Sequence, residues 1–324
     1  MKEIAGHSAG GNCTSTSEPN EDTNTCLKRF CKPRRRSTSV RLKRAVSMTK
    51  RCKWMASFHD KLLFNIIIPA SHDSAAYTFK PWHPYCWIGK HWAKTQDYSI
   101  YDQLCYGIRF LDLRLTESEG LIWTSHSFLC VPLEVCLHEI ARFLLENPTE
   151  VVVVFAVRAW KMPLSWQACE LAFQKSLGNS LIPFCMAKSE CLGDITSRHR
   201  KNVALISEGM SIGWPSSSLS YCWPNVTDPV DLKRILYDRF REKGKRCDGF
   251  FWIKSEVTPS QAFVVKHFLT SGLRDLAELC HPFILSLIQS EVHSHSCNVI
   301  STDYVHDWII DAIISSNCKR AVEG

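Results

Sequence analysis

No stretch of the sequence reaches the roughly 18 uninterrupted apolar residues that a membrane-crossing helix needs; the densest, residues 151–157, is of strand length. A transmembrane helix is therefore not expected. The first residues, Met-Lys-Glu-Ile-Ala-Gly-His-Ser, run on into polar sequence without the apolar segment of a secretory signal, so export by that route is not expected either. The compact cysteine spacing of a small secreted scaffold is also missing. Sixteen cysteines are scattered over 324 residues, which fits reduced thiols in the cytoplasm or nucleus better than a disulfide framework. No Gly-x-Gly-x-x-Gly follows the first apolar run, and without that loop a dinucleotide site has little support.

What is present divides in two. The first 53 residues hold thirteen Lys/Arg against four Asp/Glu, a net +9 that exceeds the +7 of the whole chain and leaves the remainder slightly acidic. Up to about residue 50 the sequence is rich in Ser, Thr, Asn and Gly with no sustained apolar period, so it cannot offset its ordering entropy by burial. Residues 1–50 are read as a disordered basic tail and 51–320 as one globular domain. Lys32-Pro33-Arg34-Arg35-Arg36-Ser37 would suit nuclear import, an anionic membrane surface or a basophilic kinase. Because the basicity belongs to the tail, no nucleic-acid partner is expected.

From Trp54 onward, short apolar or β-branched runs end in polar residues and give way to helix-like sequence. The runs are 63–68, 108–113, 121–124, 151–157, 203–206, 250–253 and 298–301. Near their ends stand His72, Arg114, His126, Arg158, Glu208, Glu256 and Asp303. Residues 133–145 carry helical periodicity that Asn147-Pro148 stops. Such alternation predicts an α/β fold with parallel strands, and seven or eight units favour a (β/α) TIM-type barrel, distorted or incompletely closed. Polar residues would then meet at one mouth. Two imidazoles beside a guanidinium there supply a base, an acid and a fixed charge for a phosphodiester. Alternation puts Asp112 on the same face as Arg114, where it would fix the plane of a guanidinium binding phosphoryl oxygens.

Ile68-Pro69-Ala70-Ser71-His72-Asp73-Ser74, Gly107-Ile108-Arg109-Phe110-Leu111-Asp112-Leu113-Arg114, Asn147-Pro148-Thr149-Glu150 and Cys297-Asn298-Val299-Ile300-Ser301-Thr302-Asp303 closely resemble the phosphatidylinositol-specific phospholipase C X-domain-containing proteins. The resemblance spans about residues 54–315. It implies a phosphodiesterase in which His72 is the base for the inositol 2-hydroxyl and His126 the acid for the departing diacylglycerol oxygen. Arg114 would bind the phosphate, Asp303 would orient His72, Asp73 would serve His126, and Arg158 and Glu208 would grip inositol hydroxyls. The implied partner is a phosphatidylinositol-type lipid met at a membrane surface. Arg114 stands where the large multidomain phospholipases C resemble Glu-Leu-Asp and hold Ca²⁺, so neither a metal nor another cofactor is expected. The chain departs from the family pattern at Ala70 and Ser127, where relatives carry Gly; both changes are expected to crowd tight turns.

Weaker features compete. A catalytically weak barrel recruited to lipid by its tail is a second reading, and a metal-dependent glycerophosphodiester phosphodiesterase a third. His293-x-His295-x-Cys297 has no common zinc spacing, and Cys280-His281 has no recognisable nucleophilic partner. Trp214, Trp223 and the group Trp82, Tyr85, Trp87, Trp92 would suit a lipid-facing rim or ordinary packing. Oligomeric state leaves no sequence signal.

Overall fold

Among the described residues, nine strands form one sheet. The computed structural model describes residues 51–80, 84–241, 249–291 and 297–320; the predicted tail and the His293/His295 pair lie outside them. The strands are β1 (Ile68–Ser71), β2 (Phe110–Ser118), β3 (Leu121–His126), β4 (Phe128–Pro132), β5 (Val152–Arg158), β6 (Val203–Ser207), β7 (Leu219–Cys222), β8 (Phe250–Lys254) and β9 (Val299–Thr302). Seven run parallel in the order β7-β8-β9-β1-β2-β5-β6. Among the described residues no strand pairing joins β6 to β7, so the barrel stays unclosed there. The fold class expected from the sequence is borne out, including its incomplete closure.

Two strand expectations are corrected. The apolar run 63–68 is not a strand throughout: Leu63–Asn65 forms a 3-10 turn and β1 begins only at Ile68. Leu63 and Ile66 instead join Trp54, Met55 and Phe58 in the core cluster of the barrel interior. The third run is not a parallel β/α unit either. β2, β3 and β4 are an antiparallel meander, turned at Glu119 and Gly120, which both have positive φ. A two-residue turn of this kind matches the twist of its flanking strands.

Pleating sorts the side chains. On β2, Leu111, Leu113 and Leu115 join the cluster beneath the helices, whereas Phe110 joins the interior cluster with Val153, Phe155, Val157, Ala204, Ile206, Phe250, Trp252 and Val299. Phe110 and Phe155 meet the Trp252 ring at 5.0 and 5.8 Å. Each such ring contributes about 1.5–3 kcal/mol by burial. The expected helix runs Leu133–Glu146 and lays Leu137, Ile140, Phe143 and Leu144 on the outer cluster.

The other end of the barrel is fixed by a buried ion pair. Arg109 Nε and one terminal nitrogen donate to Glu150 at 3.0 and 2.7 Å, both side chains being fully buried. The remaining guanidinium hydrogens go to the carbonyls of Leu104, Ile108, Arg51 and Cys52. Every polar group there has a partner, the condition under which a buried pair is tolerated.

Candidate active site

The polar residues of the interior face gather where β1, β2, β8 and β9 end. His72 follows β1, and its Nδ1 donates to Asp303 Oδ1, just past β9, at 2.8 Å. That bond leaves Nε2 facing the lumen, 3.1 Å from Asp73 Oδ2 and 3.7 Å from Glu256 Oε1. Asp73 has φ +40, a left-handed turn that Asp tolerates, and Ser74 locks it: the Ser74 hydroxyl accepts from the Asp112 N–H at 2.8 Å.

Arg114 Nε and a terminal nitrogen donate to the two Asp112 oxygens at 2.7 and 2.9 Å, and Nε stands 3.6 Å from Asp73. The expected pairing of Asp112 with Arg114 is thus present, and the fork keeps a defined plane. The meander then folds back and sets His126 Nε2 3.6 Å from Asp73 Oδ2. Its Nδ1 donates to the Ala93 carbonyl at 2.6 Å, which turns Nε2 to the site. The two imidazoles lie 6.2 Å apart with the Asp73 carboxylate between them.

Burial alone would lower the His72 pKa, but Glu256, Asp73 and Asp303 outweigh it and raise it to about 10. With that shift the would-be base is itself an imidazolium at neutral pH. Burial pushes Asp73 up, but His126, His72 and Arg114 hold its carboxyl below the usual range. Glu256 goes the other way: burial raises it to about 7 against the pull of His72 and Lys254.

Not every expected residue arrives. Arg158 pairs in register with Leu115 and alternates with Val157, so the pleat turns it to the helix side, where its charge acts on Cys169. Glu208 is exposed just past β6, and no hydrogen bond or ion pair among the described residues joins it to the cluster. Ala70 lies in regular buried strand and crowds no turn; the strain falls on Ser127, at φ +62. Trp214 is core, its ring parallel to Phe250, and Trp92 packs on Phe263. Trp223 is half-exposed after β7. The Cys280 thiol is pushed up to about 12 by burial, and His281 is engaged with the Asp303 carbonyl at 2.9 Å.

Others were missed. Glu256 was noted at a strand end but given no role. Lys254, two residues earlier, escaped notice although it alternates with Phe250 and Trp252. Gln96 also went unseen: its amide donates to the carbonyls of His72 and Thr302 and accepts from the Val305 N–H. Thr95 beside it donates to the Asp73 carbonyl at 2.9 Å. No strand pattern marks these two, because they sit in a connection.

His72, Asp73 and Asp112 could also be viewed as ligands for a metal, since their donor atoms lie within 4.8 Å of one another. Both Asp112 oxygens already receive the Arg114 fork, so a cation place among these acids is taken by a guanidinium.

A barrel with this strand order and mouth is the phosphatidylinositol-specific phospholipase C fold. The enzyme of that name from Staphylococcus aureus superposes with a TM-score of 0.63 at 19% identity, over 84% of this chain and 99% of that one. The one from Listeria monocytogenes gives 0.62 at 19% identity, over 82% and 98%. The family model PI-PLC X 1 matches residues 71–176, which include His72, Arg114 and His126. PI-PLC X domain-containing protein 3 of Danio rerio is 26% identical over 82% of this chain and 92% of its own length. Protein 2 of Mus musculus is 25% identical over 78% and 83%. Residues 71–176 thus match the PI-PLC X domain, and the resemblance drawn from the sequence is borne out.

Proposed function

We propose that the protein is a phosphoric diester hydrolase of the phospholipase C type, acting on phosphatidylinositol-like lipids without a metal. The observation that carries this reading is the facing of both Nε2 atoms on one carboxylate beside Arg114. His72 Nε2 takes the proton of the hydroxyl next to the phosphoester. That oxygen bonds to phosphorus, the bond to the diacylglycerol oxygen breaks, and His126 Nε2 gives that oxygen its proton. Water then opens the cyclic phosphate by the reverse proton path. Arg114 steadies charge on the phosphoryl oxygens, Asp303 holds the imidazolium that forms on His72, and Asp73 pairs with His126. Each proton transfer is worth about 10²–10⁴-fold.

The enzyme is proposed to work from the cytoplasmic side of a membrane surface. Trp160 after β5 and Trp223 after β7 are exposed at the strand ends that carry His72, and Lys161 covers the Trp160 ring. Indoles with an adjacent cation suit a headgroup layer. The raised His72 pKa favours the second reading, a weakly active lipid-binding barrel. One experiment separates the two: release of inositol phosphate from labelled phosphatidylinositol by wild type, His72→Ala and His126→Ala proteins. Turnover by wild type alone is expected; an equal rate from His72→Ala would sink the mechanism.

A further inference from the structure

Lys254 is a largely buried lysine whose ammonium meets aromatic ring faces rather than a carboxylate. Alternation along β8 turns Phe250, Trp252 and Lys254 to the barrel interior, and the first two are core residues there. Lys254 is 5% exposed, yet among the described residues no hydrogen bond or ion pair holds its ammonium. Its neighbours are ring faces, with centroids 4.0 Å away at Trp252, 5.1 Å at Tyr221 and 5.8 Å at Trp223. Burial draws its pKa down, and the charges of Asp112, Arg114, Glu256 and Asp73 all act on it, so it shares the field of the proposed reaction site. The Lys254 nitrogen is not among the side-chain atoms closed off from solvent without a partner, so a molecule entering the lumen can supply the acceptor that the rings replace only in part. Such a group is matched by a ligand rather than by the fold.

We propose that Lys254 determines headgroup specificity, its ammonium donating to a ring hydroxyl of an inositol that carries no phosphate beyond the reacting diester. The proposal rests on the reading of the site as an inositol-lipid phosphodiesterase. One ammonium, walled by three aromatic rings and lying in the field of Asp112, Glu256 and Asp73, suits a neutral oxygen. A phosphomonoester dianion would bring two charges to that single cation beside acidic neighbours, while Arg114 is held by Asp112 and engaged by the diester.

The test is calorimetric binding of inositol 1-phosphate and inositol 1,4,5-trisphosphate to wild type and Lys254→Met, with melting temperatures for both proteins. Loss of a charge-assisted hydrogen bond should weaken inositol 1-phosphate binding about tenfold to a hundredfold, while K254M melts no lower than wild type. Wild type should bind the trisphosphate no more tightly than the monophosphate. Equal affinity of the two proteins for inositol 1-phosphate, tighter wild-type binding of the trisphosphate, or a K254M melting point well below wild type would each overturn the assignment. Binding is read without turnover, so a wild type that binds inositol 1-phosphate but never cleaves lipid would refute the phosphodiesterase reading and leave Lys254 its role.

Discussion

Replacing Glu256 by Gln should free the base. His72 is held near pKa 10, with Glu256 first among the carboxylates that raise it, so at pH 7 only about one molecule in a thousand has a neutral imidazole. Glu256 Oε1 stands 3.7 Å from Nε2. At an effective dielectric of about 20 that separation is worth about 4–5 kcal/mol between unit charges, equivalent to about three pKa units. The two charges are spread over both carboxylate oxygens and both ring nitrogens, whose mean separation exceeds this closest approach, and a fall of about one to two units in the His72 pKa is expected. Gln keeps the volume and can still accept the Ser301 hydroxyl bond seen at 2.9 Å.

The assay is kcat/KM against pH on a water-soluble inositol phosphodiester, with the His72 ring protons followed by NMR. The limb that rises with pH should move down by about one to two pH units in Glu256→Gln. At pH 7 the rate should climb, by up to about tenfold, since the weaker base offsets part of its greater abundance. A wild-type His72 titrating near 6.5, or a variant slower at every pH with its limb unmoved, would refute the electrostatic reasoning.

Glu150→Gln leaves Arg109 charged, buried and half-satisfied, and should cost about 3–5 kcal/mol of stability; a urea unfolding curve checks it, and a loss below 1 kcal/mol would count against the anchor. Arg114→Lys keeps the charge but not the two-toothed plane on Asp112, so kcat should fall about 10²–10³-fold, read on the same soluble diester. The folded pKa of His72 lies above its unfolded value, so its stabilisation is complete below about pH 6.5 and disappears as pH rises through about 10. Unfolding free energies should therefore converge for wild type and His72→Ala toward pH 10, by up to about 4–5 kcal/mol; a constant gap across that range would contradict the shift. Turnover should be unchanged by a chelator, and loss of activity restored by Ca²⁺ would remove the guanidinium from its assigned place.

Much of the barrel can be read from apolar runs because parallel strands need little beyond a buried run with a polar end. His72 and Asp303 follow from that rule, each one residue past its strand, and Arg114 follows from the end of the apolar run 108–113, although β2 itself continues to Ser118. His126 was found for a partly wrong reason. It reaches the site on an antiparallel return strand, and the Glu119-Gly120 turn between two apolar runs was the available signal. Arg158 failed on parity: the register that pairs Arg114 with Val157 fixes which face Arg158 takes, and register is not written in one strand alone. Lys254 was accessible to the same alternation argument that linked Asp112 to Arg114. Gln96 was not, because its function lies in three backbone groups from β1, β9 and the turn after β9, which only the folded chain assembles.

The arrangement around Asp112 bears on the proposed handling of a phosphate without a metal. Four carboxylates, Asp73, Asp112, Glu256 and Asp303, line the mouth, enough negative charge to repel an anionic lipid unless cations balance it. A divalent ion would supply that balance in one place and would need Asp112 and Asp73 as ligands. Here Arg114 takes those same oxygens, protonated His72 answers Asp303, Asp73 and Glu256, and Lys254 adds its charge from across the lumen. The positive charge is thus distributed over three side chains. Arg114 stays charged at any working pH, whereas Glu256, raised to about 7, changes charge near the physiological range. In the proposed mechanism catalysis is limited by where one proton sits, and Glu256, the carboxylate nearest to His72 Nε2 after Asp73, is the group expected to set it.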